Sequence, residues 1–144
     1  RLHSNLFNIK NSRVYMISCN LRNDSLGKGS CLYSSNSEIN LFNCTIQHGK
    51  RTGVTLSRSI MCGFHVKFTR NDGVAISCLN SGLYLEDSRL NHNTQGALRS
   101  HFNSHCLLYH CEIRDNGNEP LIHDENEDSY ICTNYCVGDS MSQK

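Results

Sequence analysis

The side chains with chemical capacity in this sequence are its histidines, its cysteines and a scatter of arginines. His65, Asp87 and His110 follow one another at intervals of 22 and 23 residues. An Asp between two imidazoles can orient and charge them, as a general acid/base pair or a metal site requires. Ser18, Asn43 and Asn134 recur at corresponding spacings and favour a different role for all six: a structural polar ladder at a bend, bonded to the turn backbone and to itself. The nine cysteines are Cys19, Cys31, Cys44, Cys62, Cys78, Cys106, Cys111, Cys132 and Cys136. An odd number cannot all pair within one chain, and the spacings match no disulfide framework or zinc signature. Cys132 and Cys136, with Cys106, Cys111, His101, His105 and His110, would supply zinc donors. Most of these cysteines, however, fall on apolar positions of the pattern below, where a free thiol packs like a small hydrophobe. No metal and no cofactor is expected. Reduced, packed thiols indicate a cytoplasmic protein; the sequons at Asn23 and Asn43 point the other way.

A second set of residues suits binding. His48, Arg51, Arg70, His92 and Arg114 recur in turn-rich pieces of the chain and make a basic edge at repeated spacing. Such an edge fits an extended acidic peptide or glycan, and its arginines would give bidentate contacts to acidic groups. Asp72 and Asp115 lie in the same turn-rich pieces and keep the net charge of the edge small. They also match weakly the two carboxylates of an inverting hydrolase. With 14 Lys+Arg against 13 Asp+Glu the chain has no bulk basic charge, and aromatic interleaving is missing, so nucleic acid is excluded. No apolar run reaches the roughly 18 residues of a membrane helix.

These residues are positioned by an internal repeat. Segments 12–21, 37–46, 59–68, 81–90, 104–113 and 128–137 share an apolar, x, apolar, x, polar, small, x, apolar pattern. The first apolar column reads Val14, Ile39, Met61, Leu83, Cys106, Tyr130, and the second Met16, Leu41, Gly63, Leu85, Leu108, Cys132. The polar column Ser18, Asn43, His65, Asp87, His110, Asn134 follows. Then come Cys19, Cys44, Val66, Ser88, Cys111, Tyr135 and finally Leu21, Ile46, Phe68, Leu90, Ile113, Val137. A further short strand corresponds to 30–33, 53–56, 73–76, 96–98 and 120–122. Helical spacing is absent. A repeat of this length cannot close a core alone, but stacked coils bury continuous columns of like residues. The pattern therefore predicts an all-β parallel β-helix, a solenoid of about six coils of 22–25 residues over 1–137, with 138–144 as an unpatterned tail that frays. Arg1 opens inside patterned sequence, so further coils or a partner chain are expected at the ends.

The motif x-Ile/Leu-x-Leu-x-Asn-Cys-x-Ile followed by Gly-Val-x-Leu, clearest in 37–56 and 81–98, resembles the right-handed parallel β-helix repeat of the pectate-lyase-like superfamily. The resemblance covers about residues 5–137 and is specific for fold. It implies kinship with pectate lyases, polygalacturonases, tailspikes and epimerases, and with intracellular eukaryotic members such as β-helix F-box proteins and the Nessun dorma / Shc-binding cytokinesis proteins. The Cys-rich interior and the lack of calcium-binding Asp repeats are closer to the intracellular group. His48-Gly49-Lys50-Arg51 is similar to one polygalacturonase element, but the Asn-Thr-Asp and Asp-Asp motifs are missing. The expected function is thus a non-enzymatic binding or scaffold module of a larger intracellular protein, recognising a protein or glycan along a lateral face. Cytokinesis or ubiquitin-ligase substrate recognition is implied by resemblance alone. The alternative is a secreted carbohydrate-active enzyme or glycan binder.

Overall fold

The computed structural model describes residues 5–23, 28–123 and 128–138. Residues 124–127 and the tail beyond Gly138 lie outside the described residues. The first coil contributes β1 (Phe7–Lys10), β2 (Arg13–Ile17) and β3 (Asn20–Arg22); the second β4 (Leu32–Ser35), β5 (Glu38–Phe42) and β6 (Thr45–Gln47). The third contributes β7 (Thr52–Ser57), β8 (Ile60–Phe64) and β9 (Lys67–Thr69); the fourth β10 (Val74–Leu79), β11 (Gly82–Glu86) and β12 (Arg89–Asn91). The fifth has β13 (Gly96–His101), β14 (His105–Tyr109) and β15 (Glu112–Arg114); the sixth β16 (Leu121–His123), β17 (Tyr130–Asn134) and β18 (Val137–Gly138).

Every pairing is parallel and joins the same strand of neighbouring coils, which gives three six-stranded sheets. The chain is therefore a parallel β-solenoid of about six turns. Its interior is three walls of stacked apolar side chains. Leu32, Val54, Ile76 and Leu98 line the first sheet, Leu41, Leu85 and Leu108 the second, and Ile46, Phe68, Leu90 and Ile113 the third; all are fully buried. Gly63 stands among the leucines because Leu85 fills its space: a Cβ there would lie 2.8 Å from Leu85 Cδ2.

Three corners turn the chain, each by the same device. A residue at positive φ points outward and the next points in. The first corner uses Asn11, Asn36, Arg58, Asn80 and Asn103, with Phe102 before Asn103 also at positive φ, the second Ser18, Asn43, His65, Asp87, His110 and Tyr135, and the third His48, Arg70, His92 and Asp115. The inward residues bond along the stack. At the first corner Ser12, Ser37, Ser59, Ser81 and Ser104 each donate a backbone N–H to the hydroxyl of the serine one coil on, at 3.0–3.1 Å, ending on Ser129. At the third, Asn71 Nδ2 donates to Asn93 Oδ1 at 2.9 Å and Asn93 Nδ2 to Asn116 Oδ1 at 2.8 Å. These ladders satisfy groups that a buried turn would otherwise orphan.

Two parts of the expected register are corrected. In the sixth coil the pairing is His105↔Tyr130 and Cys106↔Ile131, so Ile131, Thr133, Tyr135, Cys136 and Gly138 take the columns assigned to Tyr130, Cys132, Asn134, Tyr135 and Val137. Because side chains alternate, a one-residue slip moves every side chain to the other face. The observed register tucks Ile131 and Cys136 against the core and leaves Tyr130, Cys132, Asn134 and Val137 exposed. In the fourth coil Ile76, not Val74, pairs with Val54, a two-residue shift that keeps the same side inward.

Candidate partner-binding faces

The second corner carries the His/Asp column. Ser18, Asn43, His65, Asp87 and His110 all stand on successive coils at φ of 52° to 56° and project outward. Asn134 is not among them: Tyr135 occupies that rung, for the register reason given above. Asn43 Nδ2 donates to Ser18 Oγ at 3.2 Å. Asp87 sits between the imidazoles, 4.0 Å from His65 Nε2 and 3.7 Å from His110 Nδ1. His110 is stacked on Tyr109 (centroids 4.4 Å apart) and meets the edge of Tyr135. Left-handed backbone favours Asn and Asp, whose short polar side chains bond locally, so this column has a conformational reason for its residue types. All three titratable groups are open to solvent. Among the described residues no group of three or more His, Cys, Asp or Glu is arranged to hold a metal ion.

The cysteines divide by depth. Cys31, Cys44, Cys78, Cys106 and Cys111 are buried free thiols. Cys44 donates to the carbonyls of Met16 and Phe42, as an inward residue of the second corner should. Cys19 and Cys44 share that column on neighbouring coils and both are free. The Cys78 thiol is held well above its ordinary range by its contact with Cys106 Sγ at 3.7 Å and by burial. Cys136 differs. The Cys111 thiol and the Cys111 backbone N–H both bond to its sulfur, and it is pulled down to about 6 despite partial burial.

The structure divides the basic edge among three places. His48, Arg70 and His92 do form one column, the outward residues of the third corner. Asp115 continues it and lies 3.9 Å from His92 Nδ1. Arg114 belongs to the outer face of the third sheet, where Glu112 Oε2 accepts from its Nε at 2.7 Å. Asp72 lies in another column, two residues past Arg70, 3.9 Å from Lys50 Nζ. The two carboxylates considered for hydrolysis, Asp72 and Asp115, are thus not brought to one site by the stacking. Arg51 immediately precedes β7, the third-coil strand of the first sheet, and lines a different surface.

That surface is a cleft along the outer face of the first sheet, enclosing about 850 Å³. Its floor is polar, with Asn8, Tyr33, Thr55 and Ser77 in register across neighbouring coils. Its cations are Lys10, Arg51 and Arg99, and no carboxylate lines it among the described residues. Arg99 continues the outward column of Ser77 on the fifth coil. Lys10 stands on the first coil, so the cations spread over five coils, four spacings or about 19 Å along the stack. Lys10 and Arg99 were not read from sequence. The signal for Arg99 was its place directly after Leu98, on the outward side of the alternation.

Comparison of this chain with protein-family models, curated proteins and solved structures returns no match.

Proposed function

We propose that this chain is a non-enzymatic binding module of a larger cytoplasmic protein, and that its partner is an extended acidic segment of protein or glycan lying along the first sheet. The observation that carries this reading is the cleft: Lys10, Arg51 and Arg99 spread from the first coil to the fifth, with hydroxyls and amides between them and, among the described residues, no carboxylate lining it. Fixed cations at intervals of the stack match an extended polymer better than a compact ligand, because each rung adds one weak contact in register. Arg gives charge-assisted, two-pronged contacts to carboxylate or phosphate. His48 and Arg70 stand on the corner bordering this sheet, and Arg70 extends the cationic field, while Arg114 is paired with Glu112. Superfamily membership, and within it the Nessun dorma / Shc-binding or F-box character, is supported by the solenoid itself and by the free thiols buried in it. Cytoplasmic residence is supported by the same thiols. The end coils are completed by further coils or by a partner chain: Val14, Met16 and Ile131 are only partly buried, whereas Ile39, Leu41 and Cys106 in the same columns are closed over.

The test is binding of fluorescent poly-glutamate peptide and of polygalacturonate, by anisotropy, to wild type and to the Arg51→Ala/Arg99→Ala double variant. Wild type should bind one of them with an affinity that falls with salt. The double variant should lose at least about ten-fold, and the Arg70→Ala/Arg114→Ala variant much less. Equal binding by the Arg51/Arg99 variant and wild type would overturn the reading. So would release of reducing ends from the polysaccharide, which would make the chain a carbohydrate-active enzyme.

A further inference from the structure

Three pairs of cysteines are neighbours in this fold, and they differ in contact and in access to solvent. Cys19 and Cys44 share the inward column of the second corner on neighbouring coils. Their thiols donate to carbonyls, Cys19 to Ile17 at 3.5 Å and Cys44 to Met16 and Phe42 at 3.4 and 3.3 Å, and neither sulfur bonds to the other. Cys78 and Cys106 touch, sulfur to sulfur at 3.7 Å, but both are fully buried and shielded from any oxidant in water. Cys111 and Cys136 occupy the second-corner column on the fifth and sixth coils. They alone combine contact with access.

Each stands one residue before the paired positions Glu112 and Val137, and the Val137 N–H donates to the Cys111 carbonyl at 3.0 Å. Neighbouring coils lie about 4.8 Å apart, within the Cα separation of roughly 4.4–6.8 Å that a disulfide spans. The Cys111 N–H donates to the Cys136 sulfur at 3.4 Å, and the Cys111 thiol bonds to the same atom. Donors aimed at a sulfur favour its thiolate. The Cys111 thiol is the main reason that Cys136 is held at about 6. Cys111 is itself pushed far above the ordinary thiol range by that contact and by burial. The two therefore have different capacities. Cys136 is partly exposed and ionised, whereas Cys111 is 2% exposed and keeps its proton. Bonding needs the sulfurs to close to about 2.05 Å. The sixth coil can give at this corner, because β18 has two residues and is paired on one side only among the described residues. Cys132 is the more exposed thiol, but its partner on the fifth coil is Leu107, which offers nothing to close on.

We propose that Cys136 is a site of reversible oxidation by hydroperoxides, with Cys111 as its resolving thiol and a disulfide between the fifth and sixth coils as the product. The Cys136 thiolate attacks one peroxide oxygen. The O–O bond breaks, an S–O bond forms, and the other oxygen leaves as hydroxide or alkoxide and takes a proton from water. The sulfur has given two electrons to the peroxide and is now a sulfenic acid. Its charge no longer opposes ionisation of Cys111. Cys111 Sγ attacks it, the S–S bond forms, the S–O bond breaks, and the hydroxyl departs with the Cys111 proton as water. A dithiol reverses the link by two exchanges and is itself oxidised to a disulfide. The site lies on the second corner and stands whether or not the cleft binds an acidic partner.

The test treats the reduced chain, freed of reductant, with hydrogen peroxide at about pH 5 and pH 7. Samples are quenched with iodoacetamide, digested with trypsin and mapped by mass spectrometry without reduction. Trypsin frees 100–114, which holds Cys106 and Cys111, and 115–144, which holds Cys132 and Cys136. These two peptides should become linked, and faster at pH 7 than at pH 5. The link should fall at least about ten-fold in Cys111→Ser and in Cys136→Ser and persist in Cys106→Ser and Cys132→Ser. Cys111→Ser should stop at a sulfenic acid on Cys136 that dimedone traps. Ser88 already holds this column on the fourth coil, where its hydroxyl accepts the Val66 N–H at 3.1 Å, so serine suits the corner, and far-ultraviolet circular dichroism checks the fold. A wild type that forms no link between the two peptides overturns the proposal, as does a link that Cys106→Ser or Cys132→Ser abolishes.

Discussion

Replacing Asn93 by Ala should be the most instructive single perturbation of this solenoid. Asn93 is fully buried, midway along the asparagine ladder of the third corner. Its Nδ2 donates to the carbonyls of Phe68 at 3.1 Å and Asn91 at 3.2 Å and to Asn116 Oδ1 at 2.8 Å. Its Oδ1 accepts from the Asn71 backbone N–H at 3.2 Å and from Asn71 Nδ2 at 2.9 Å. Ala removes all five bonds, but the neighbours are not equally stranded. Asn71 Nδ2 keeps the Ile46 carbonyl at 3.4 Å, and Asn116 Oδ1 keeps the Asn93 N–H at 3.1 Å. The Asn71 N–H loses its side-chain acceptor in a buried site, which costs about 1–3 kcal/mol, and two carbonyl bonds at about 1 kcal/mol each bring the expected loss to roughly 3–5 kcal/mol. Against a typical stability of about 5–15 kcal/mol this is a large share. The assay is urea unfolding followed by far-ultraviolet circular dichroism, with Asn80→Ala as control. Asn80 is exposed at φ 52°, so its replacement carries only a backbone penalty of about 1–2 kcal/mol. If Asn93→Ala costs no more than Asn80→Ala, the ladder is not a stabilising element and the argument is wrong.

Three further outcomes are expected. Leu85→Ala should cost about 2–5 kcal/mol, because coils locked by ladders on both sides cannot collapse into the cavity; a loss below 1 kcal/mol on urea unfolding would contradict the packing. Gly63→Ala should cost about 1–3 kcal/mol through its clash with Leu85 Cδ2, and Leu85→Val in the same chain should recover part of that loss. Cys136 should be alkylated by iodoacetamide well below the ordinary thiol range, its rate rising as pH climbs through about 6 and then levelling. Cys62, raised by burial and by Glu38, should be labelled only at higher pH; mass spectrometry of quenched samples would expose the reverse order.

Much of the fold was legible because the signal is column identity, and columns need only that like residues recur. The interior leucines and isoleucines of the second and third sheets fall where periodicity puts them. The sequence also singles out the outward polar column of the second corner, but not the inward serines and asparagines of the first and third corners, whose side chains form the ladders. The serine at the head of each segment, Ser12, Ser37, Ser59, Ser81 and Ser104, was in view and marks the first-corner ladder. Anchoring the last segment on Ser129 rather than Asp128 would have avoided the slip that misplaced Asn134. The cleft was harder to see. Outward positions on a strand carry no packing constraint, so Lys10 and Arg99 leave no periodic trace. Their convergence with Arg51 depends on which coil each occupies, which only the pairing reveals.

The corner ladders also divide the circumference into a fixed and an extensible part. From the first corner to the third the chain runs from Ser12 to Asn23, Ser37 to His48, Ser59 to Arg70, Ser81 to His92 and Ser104 to Asp115, the same span each time. The remaining stretch varies: Asn23 to Leu32 is longer than His48 to Val54, and Leu121 to Ser129 is longer than Val54 to Ser59. A residue added within the fixed stretch would invert the alternation of a strand and misalign a ladder, whereas residues added beside the first sheet leave every rung in place. New loops can therefore accumulate only along the two rims of the first sheet. In lineages of such a chain, diversification of length would gather around that cleft while the opposite walls stay constant, and an engineer grafting a foreign loop would choose the same two rims.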